Sequence, residues 1–308
     1  MTRIVPISEV KFDKKSSVTV GTFDGVHEGH KSLISTLVSE AKKCKARSVL
    51  VTFDPHPRDI INPQHSLGLL TTLEERAEIL SDLGLDEMVV IPFTRDFSLL
   101  SSSEFIKQFI VEKIGLSCFV IGYDHHFGRD REGSYETVVK IGKESNFSVR
   151  LVQAHEVSKH TVSSTVVRKA LLFEGNVGLA QTYLGHPYRL EGTVVNGDQR
   201  GRTIGFPTAN IKPENAKKIV PKNGVYAVRA LVQGVYYGGM MNIGVRPTVT
   251  EGQEKTIEVH LFDFNDTIYG KKMSIDFIAR LRDEMKFSGV QELIAQLEID
   301  KSVALNSL

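Results

Sequence analysis

The sequence predicts two domains: a doubly wound α/β domain with a parallel sheet, and then an antiparallel six-stranded β-barrel with a terminal helix. Strand and helix patterns alternate up to about residue 185, as in parallel sheets that carry helices on both faces. Beyond that point short strand patterns follow one another across Gly and Asn turns, which favours an antiparallel sheet or small barrel. We therefore expect domains at residues 1–185 and 186–308, with the boundary near the tripeptide Gly185-His186-Pro187.

The composition is that of a globular protein with enough residues for two cores. Of the 308 residues, 41% are hydrophobic and 24% are charged, and the formal net charge of +1 supplies no field for nonspecific binding of nucleic acid or anionic membranes. No apolar stretch reaches the length of a membrane span, and the N-terminus lacks a signal-peptide core. We expect a cytoplasmic protein with small-molecule substrates and no nucleic-acid or membrane partner, and weak self-association is compatible with the sequence. Cys44 and Cys118 lie in apolar patterns without metal-ligand spacing and are expected to be buried free thiols.

The first domain is predicted to alternate buried strands with helices. Capping-box patterns open two helices, at Thr72 with Glu75 and at Ser101 with Glu104, and a further helix should start near Ser134. In such sheets ligands bind beyond the carboxyl ends of the strands, so the loops after residues 23, 53 and 121 should meet at one edge. The predicted strands cover residues 18–20, 48–53, 88–91, 118–121 and 148–152.

A Gly-rich turn joins the first strand pattern to an amphipathic helix pattern. Gly21 and Gly25 allow the backbone to approach a ligand closely, and His27 and His30 add two imidazole donors. Unpaired N–H groups in the first helical turn and the helix dipole favour an anion here. Because the turn lacks both the Gly-Lys-Ser/Thr of a P-loop and the G-x-G-x-x-G of a Rossmann fold, we expect a polyphosphate bound by a different motif.

Polar side chains also follow two later strands of this domain. Asp54 and His56 come after the second strand, and the segment 122–129 comes after the fourth. Both segments are candidates for a ligand site. The alternatives are a rigid turn for the first and a loop of solvated charges for the second. We do not expect a metal at His125 and His126, because adjacent side chains rarely share a ligand face.

A hydroxyl-rich segment precedes the last helix patterns of the first domain. Ser164 and Thr165 open the helix pattern, and Arg168 lies near the same helical face as Thr165. Hydroxyls with an arginine one turn later suit a phosphate group. The alternative is that the hydroxyls only cap the helix.

Strand patterns dominate the second domain, and one helix pattern closes it. The helix carries Val290, Leu293, Ile294 and Leu297 on one face, which indicates packing alone. The predicted strands cover residues 188–195, 224–232, 235–243, 256–264 and 272–278.

Polar residues in this domain point to a cation and a carboxylate. Thr208 and Asn210 alternate with Ala209, so in an extended segment their oxygens share one side and suit Mg²⁺. An ordinary turn is the alternative. Glu258 and His260 lie on the strand face opposite the apolar residues, where a solvated charge is the alternative to a functional carboxylate.

Three motifs of the first domain resemble, in the family's order, those of bacterial bifunctional riboflavin kinase/FAD synthetases. They are G-T-F-D-G-V-H-E-G-H at residues 21–30, which contains the H-x-G-H signature of nucleotidylyltransferases, G-Y-D-H-H-F-G at residues 122–128, and V-S-S-T-V-V-R at residues 162–168. Val162 replaces the family's Ile, and His125 stands where the family often has Phe. The resemblance implies a nucleotidylyltransferase domain in which the FMN phosphate attacks the α-phosphorus of ATP and pyrophosphate leaves.

The resemblance also assigns residues of this domain to the two substrates. His27, His30 and Arg168 would act as catalytic groups on the ATP phosphates. Further ATP contacts would be Gly21, Phe23, Gly25, Ser164 and Thr165. The flavin side would include Asp54, His56 and Asp124.

Two motifs of the second domain resemble riboflavin kinases. Residues 201–210 match the signature G-R-x-x-G-F-P-T-A-N without a mismatch, and residues 242–248 resemble a second loop of the family. The resemblance implies transfer of the γ-phosphoryl group of ATP to riboflavin. Glu258 would orient and activate the riboflavin 5′-hydroxyl as its base, and Arg282 would approach the flavin.

The same resemblance implies the remaining ligands of the kinase. Mg²⁺ or another divalent cation would bind Thr208 and Asn210, and both reactions would need ATP and such a cation. Riboflavin, FMN and FAD would be the flavin substrates and products. The ATP contacts would be Gly201, Gly205, Pro207, Thr208 and Asn210.

Three other hypotheses stay open on the sequence. A monofunctional kinase with an inactive first domain predicts FMN but no FAD, and His125 is its sequence support. A nucleotidylyltransferase acting on a pantetheine or nicotinate phosphate would share His27 and His30 but would leave the barrel signature unexplained. A non-catalytic flavin-binding protein would be yellow and inert with ATP. Because the predicted sites lie on different loops, we expect FMN to be released from one and bound again by the other.

Overall fold

The computed structural model describes residues 1–65, 68–123, 127–129, 132–153, 156–157, 160–197, 200–245 and 255–308. These residues form two compact units, Met1–Ser163 and Ser164–Leu308. The division reflects contacts within each unit and does not test where each activity begins along the chain. The limits 1–185 and 186–308 therefore stay a prediction.

The first unit contains the predicted doubly wound parallel sheet. Along the sheet the strands are ordered β1-β4-β3-β2-β5-β6. The chain runs outward from β2 through β3 to β4 and then returns to β5 on the other side of β2, which makes the carboxyl end of β2 the topological switch point. The strands are β1 (Arg3–Pro6), β2 (Ser16–Val20), β3 (Arg47–Asp54), β4 (Glu87–Pro92), β5 (Cys118–Gly122) and β6 (Ser148–Val152), and a separate ribbon pairs β7 (Glu156–Val157) with β8 (His160–Thr161).

Helices cover both faces of this sheet. On β3, Val49 and Val51 belong to one apolar cluster and Leu50 belongs to another, as expected for a strand that is buried on both sides. Both predicted capping boxes are present, with side-chain and backbone bonds exchanged at Thr72 and at Ser101. The helices are α1 (Glu28–Cys44), α2 (Pro57–Ile61), α3 (Leu73–Asp82), α4 (Ser102–Phe105), which continues as a π-helix (Ile106–Ile114), and α5 (Tyr135–Ser145), and short 3₁₀ turns lie at Pro63–His65 and Phe97–Leu99.

The first unit differs from the sequence-based expectation at its edge strand and at one cysteine, among other places. The edge strand β1 was not predicted, because it is short and exposes Arg3, Ile4 and Pro6, so no apolar run marks it. The prediction that Cys44 is buried is wrong. Ala41 is the last buried residue of α1, and Cys44 lies exposed in the final turn among lysines. Cys118 is buried as expected, and burial raises the pKa of its thiol.

The second unit contains the predicted six-stranded antiparallel barrel, which is closed in the order β10-β13-β12-β11-β14-β9. Its strands are β9 (Tyr188–Val195), β10 (Ala209–Pro213), β11 (Gly224–Val232), β12 (Val235–Val245), β13 (Lys255–Leu261) and β14 (Lys272–Arg282). The helices are α6 (Ser164–Lys169), which continues as a π-helix (Ala170–Glu174), α7 (Val177–Leu184), α8 (Arg200–Thr203) and α9 (Val290–Ser307).

The terminal helix α9 packs on the outside of the barrel. Ala304 belongs to a cluster with Ala227 and Met240, and Ala279 and Leu281 pack against the same cluster. This packing explains why β14 is longer than predicted: its last residues are covered on the outer face, so the apolar–polar alternation fades.

The strand β10 was not among the five strands predicted for this unit, and the expectations for α9 and β13 also need correction. Val290 was expected to pack with the apolar stripe of α9, but it is the first residue of that helix and is 58% exposed. The strand predicted at residues 256–264 ends at Leu261, because the chain turns there and Asp263 adopts a left-handed conformation with φ of +53°.

Candidate active sites

The turn after β2 is tightly constrained. Phe23 and Val26 adopt positive φ values of +48° and +40°, which are uncommon for residues other than glycine. Both side chains are buried, at 2% and 0% exposure, so core packing holds this backbone in place. Gly25 has a φ of +84° between them. The turn therefore presents a fixed backbone at the switch point of the sheet.

Asp24 anchors this turn, although the sequence analysis gave it no role. Its carboxylate is fully buried and accepts hydrogen bonds from the backbone N–H groups of Leu70 and Thr71, at 3.0 and 2.8 Å, and from the Thr71 hydroxyl at 3.1 Å. The guanidinium of Arg76 lies 3.7 Å away, and the N–H of Gly25 donates to Thr71 Oγ1 at 2.9 Å. Asp24 thus connects the turn after β2 to the segment that precedes α3. One feature of the sequence could have identified Asp24: it is a carboxylate flanked by turn residues directly after a buried strand.

The structure brings His27 and His30 together at the start of α1. His27 is the N-cap residue, and its Nδ1 accepts from the backbone N–H of His30 at 3.3 Å. In a neutral imidazole the other ring nitrogen, Nε2, then carries the proton and is a donor. The two rings stack with centroids 3.6 Å apart, and the Phe23 ring lies 4.5 Å from that of His30. These side chains and the helix N-terminus can face one anion.

Two other predicted residues of the first unit lie at the same edge of the sheet. Asp54 ends β3, which pairs in parallel with β2, and His56 caps α2 by accepting from the N–H of Arg58 at 3.1 Å. The predicted flavin residue Asp124, and its neighbours His125 and His126, lie outside the described residues.

The hydroxyl-rich motif falls at the start of the second unit. Ser164 and Thr165 are the first two residues of α6, and Arg168 follows in the same helix with only 6% of its surface exposed. Ser164 and Arg168 each have further interactions within the molecule. Their part in binding phosphate stays a prediction.

The barrel brings Thr208, Asn210 and Glu258 together. Asn210 lies opposite Glu258 where β10 pairs with β13, and the hydroxyl of Thr208 lies 3.4 Å from Glu258 Oε2, to which it donates. Asn242 lies opposite Glu258 on the other neighbour, β12. Directly opposed residues of antiparallel strands point to the same face. Hydroxyl, amide and carboxylate oxygens therefore meet on the outer face of the barrel, a donor set that fits a hard cation such as Mg²⁺.

Two cavities meet at Thr208. The first has a volume of about 300 Å³ and the second of about 430 Å³, and Thr208 lines both. The first is lined by Glu258 and Arg282 among largely apolar side chains, including Phe206, Met240, Met241, Phe287, Leu293 and Leu297. The second is lined by Pro207, Ala209 and the segment 264–269, with Arg202 beside it. These volumes are at the lower end of those of small-molecule sites.

The signature segment between these cavities is held by its backbone. The N–H of Phe206 donates to the carbonyl of Gly201 at 2.9 Å, and a Cβ at Gly201 would lie 2.2 Å from the Phe206 oxygen, so only glycine fits there. His260 Nδ1 donates to the carbonyl oxygen of Pro207 at 2.8 Å. Burial lowers the pKa of His260, which favours its neutral form. Of the predicted family loop at residues 242–248, residues 246–248 lie outside the described part of the chain.

No group of three His, Cys, Asp or Glu side chains that could hold a metal occurs among the described residues. In the part of the chain that the structure describes, no helix is long and apolar enough to cross a membrane.

Comparison with known proteins assigns each half of the chain to a known family. The FAD synthetase family model matches residues 9–166, and the riboflavin kinase family model matches residues 184–308. The bifunctional riboflavin kinase/FMN adenylyltransferase of Listeria monocytogenes is 39% identical over 94% of this chain and 91% of its own. That of Bacillus subtilis is 38% identical over 94% and 92%.

A solved structure shares the whole fold. It is a crystal structure from Streptococcus pneumoniae described as a macrolide-efflux protein, 33% identical, with a TM-score of 0.90 and coverage of 98% of this chain and 99% of that one. Both family models and the curated relatives agree on one assignment. The chain belongs to the family of bifunctional riboflavin kinase/FMN adenylyltransferases.

Proposed function

We propose that this enzyme makes FMN and FAD at two separate sites: the barrel phosphorylates riboflavin with ATP, and the α/β domain adenylylates the FMN with a second ATP. The observation that supports the kinase site best is the contact between Thr208 and Glu258 where two cavities meet. An inactive first domain is not favoured, because the FAD synthetase model matches it along with the relatives named as bifunctional.

In the kinase reaction, the apolar cavity of about 300 Å³ would hold the flavin ring and the cavity of about 430 Å³ would hold ATP. Glu258 accepts a hydrogen bond from the riboflavin 5′-hydroxyl and takes its proton as the oxygen attacks the γ-phosphorus, and ADP leaves. The Thr208 hydroxyl fixes the carboxylate of Glu258 for this role. A divalent cation bound at Thr208 and Asn210 would neutralise charge on the transferred phosphoryl group.

In the adenylyltransferase reaction, the FMN phosphate is already an anion and needs no general base. The barrier comes from bringing anions together and from the charge that develops on pyrophosphate. The Nε2–H of His27, the ring of His30 and the N-terminus of α1 would stabilise this charge. The assignment of Arg168, Ser164 and Thr165 to the phosphates, and of Asp54, His56 and Asp124 to the flavin, rests on the motifs and loop positions.

We propose further that FMN is released between the two steps, that each reaction needs Mg²⁺ or a similar cation, and that the enzyme acts in the cytoplasm. The test of the whole proposal is incubation of the purified protein with riboflavin, ATP and Mg²⁺, with flavins separated over time. FMN should form first and FAD should follow after a lag. In the presence of an excess of unlabelled FMN, labelled riboflavin should yield labelled FMN and mostly unlabelled FAD. FAD without free FMN would contradict release, and the absence of any new flavin would contradict both sites.

A further inference from the structure

Helix α9 buries a carboxylate against the barrel. Its buried residues are Ala304, which packs on the outer surface of the barrel, and Asp300, which is only 3% exposed. A buried carboxylate is costly unless it is paired and hydrogen-bonded. The sequence pattern gave α9 a packing role alone, and packing does not call for an aspartate at this position.

Asp300 is paired with Arg282 in a two-pronged contact. Arg282 Nε donates to Asp300 Oδ1 at 2.9 Å and Nη2 donates to Oδ2 at 2.7 Å. The amide of Gln296, one turn earlier on α9, donates to Oδ1 at 2.9 Å. Arg282 Nη1 donates to the carbonyl oxygen of Asp283 at 2.9 Å, and the Phe287 ring lies 5.9 Å from the guanidinium carbon. A fork of this kind fixes the plane of a guanidinium as well as its position.

This pair lies in the wall of the cavity of about 300 Å³ that also contains Glu258. Among the described residues that line the cavity, Arg282 is the only lysine or arginine, and the acidic Glu258 and Glu284 line the same cavity. Asp300 occupies the Nε–Nη2 edge of the guanidinium. A ligand in the cavity can therefore accept hydrogen bonds from Arg282 only at the remaining N–H groups of Nη1 and Nη2.

We propose that Asp300 is a positioning residue of the riboflavin kinase: it orients the guanidinium of Arg282 toward the flavin, and Gln296 holds Asp300 in turn. This inference rests on the proposed function, in which the cavity binds the flavin. It gives α9 a part in substrate binding, since the helix supplies the counter-charge for a residue that lies at the end of β14.

The test is Asp300→Asn in the full chain, assayed for both activities. Asparagine keeps the size of the side chain but loses the charge and one acceptor oxygen, so Arg282 is released. The KM for riboflavin should rise about tenfold, as for loss of a charge-assisted hydrogen bond. The KM for ATP should change less than twofold, and conversion of supplied FMN to FAD should be unchanged. A merely structural defect would not separate the two KM values.

A matched control is available on the same barrel. Asp276 and Arg189 form a fork with the same atoms, Nε to Oδ1 at 2.7 Å and Nη2 to Oδ2 at 2.9 Å, and neither is among the described residues that line the two cavities. Asp276→Asn should leave the KM for riboflavin within twofold. A milder variant, Gln296→Leu, removes only the support of Asp300 and should raise that KM two- to threefold even if Asp300→Asn folds poorly.

A double-mutant cycle of Asp300 and Arg282 tests whether Asp300 acts through Arg282. Arg282→Gln should raise the KM for riboflavin, and Asp300→Asn should add little in that background. The inference is overturned if Asp300→Asn and Gln296→Leu behave like Asp276→Asn, or if Asp300→Asn has its full effect on top of Arg282→Gln. If Arg282→Gln itself leaves the KM for riboflavin unchanged, the assignment of Arg282 to the flavin fails as well, which separates that failure from one confined to Asp300.

Discussion

Glu258 lies directly between Asn210 and Asn242, opposite the first where β10 pairs with β13 and opposite the second where β13 pairs with β12. The register of the barrel thus places one side-chain amide on each side of the carboxylate, on the face that carries Thr208. A shift of one residue in either pairing would turn Glu258 toward the opposite face. The positions of Glu258, Asn210 and Asn242 in the proposed kinase site therefore depend on strand register.

We expect Glu258→Gln to lower the kcat for FMN formation by about 10²- to 10⁴-fold, the usual contribution of a general base. Glutamine keeps the shape of the side chain and can still meet the Thr208 hydroxyl, so the loss would come from the missing proton acceptor. FMN formation is measured with excess ATP, and the same preparation is assayed for FAD formation from supplied FMN.

FAD formation is the internal control for Glu258→Gln, because the proposed adenylyl site uses other residues. The KM for ATP in the kinase assay should stay within about threefold. A fall in FMN formation of less than tenfold would show that Glu258 only lines the cavity and is not the base.

We expect Asp24→Asn to destabilise the first unit by about 3–5 kcal/mol, the cost of removing one partner from a buried charged pair. The carboxylate has lost all contact with water, and its partners are two backbone N–H groups, the Thr71 hydroxyl and the buried Arg76. Amide hydrogen exchange of β2 and β3 measures the loss, and FAD formation should fall with it while FMN formation persists.

Glu144→Gln is the matched control for Asp24→Asn. Glu144 pairs with Lys107 at 3.3 Å, both side chains are nearly half exposed, and such exposed pairs contribute about 0–1 kcal/mol. Equal effects of the two substitutions on hydrogen exchange would show that Asp24 does not anchor the turn.

The sequence predicts correctly those elements whose signals come from residues close together in the chain. The strand β3 has a continuous apolar run, and the caps at Thr72 and Ser101 have their partners three residues away. Asp24 was missed because its partners Leu70 and Thr71 lie 46 and 47 residues further along the chain. No helical or strand period connects positions so far apart, since they meet only after β2 and α3 have packed on the sheet.

The pairing of Asp300 with Arg282 was missed for the same reason. The sequence singled out Arg282 by resemblance, but its counter-charge lies 18 residues away on a helix that the apolar stripe explains as packing. Only the position of α9 on the barrel brings the two together. The sequence therefore pointed to a candidate site residue such as Arg282 but not to Asp300, the residue that holds it in place.

We expect His27→Asn to lower FAD formation at least about 100-fold while leaving the stability of α1 nearly unchanged. Asparagine is a good N-cap residue and can accept from the N–H of His30 as His27 Nδ1 does. It does not place a donor where Nε2 lies, and loss of one donor to developing charge costs about 10²- to 10³-fold in rate. Rates of FAD formation from FMN and the melting temperature are the two measurements.

His27→Ala is the comparison for His27→Asn. It should lose the donor and also about 1 kcal/mol of capping free energy. If His27→Asn retained more than a tenth of the activity, the side chain would serve the helix and not the phosphates.

The stability of the barrel should fall as the pH drops below about 6.5, because His260 is buried in its neutral form. Burial lowers its pKa in the folded state, opposed by its bond to the Pro207 carbonyl and by Glu298 and assisted by Lys301. Between the unfolded pKa, near 6.5, and the lower folded value, the unfolded chain binds a proton that the folded barrel does not. The stabilisation is therefore complete above the unfolded pKa and is lost toward the folded one, at no more than about 1.4 kcal/mol per pH unit.

His260→Gln should flatten this pH dependence, because glutamine can donate to the Pro207 carbonyl but does not titrate. Amide hydrogen exchange of β13, extrapolated to the free energy of opening at pH 7.5 and pH 5.5, compares the wild-type chain with the variant. The wild type should lose more stability over this interval than His260→Gln, since both chains share every other titrating group. An equal loss in the two chains would place the acid sensitivity elsewhere and leave His260 as a packing residue between Phe206 and Phe262.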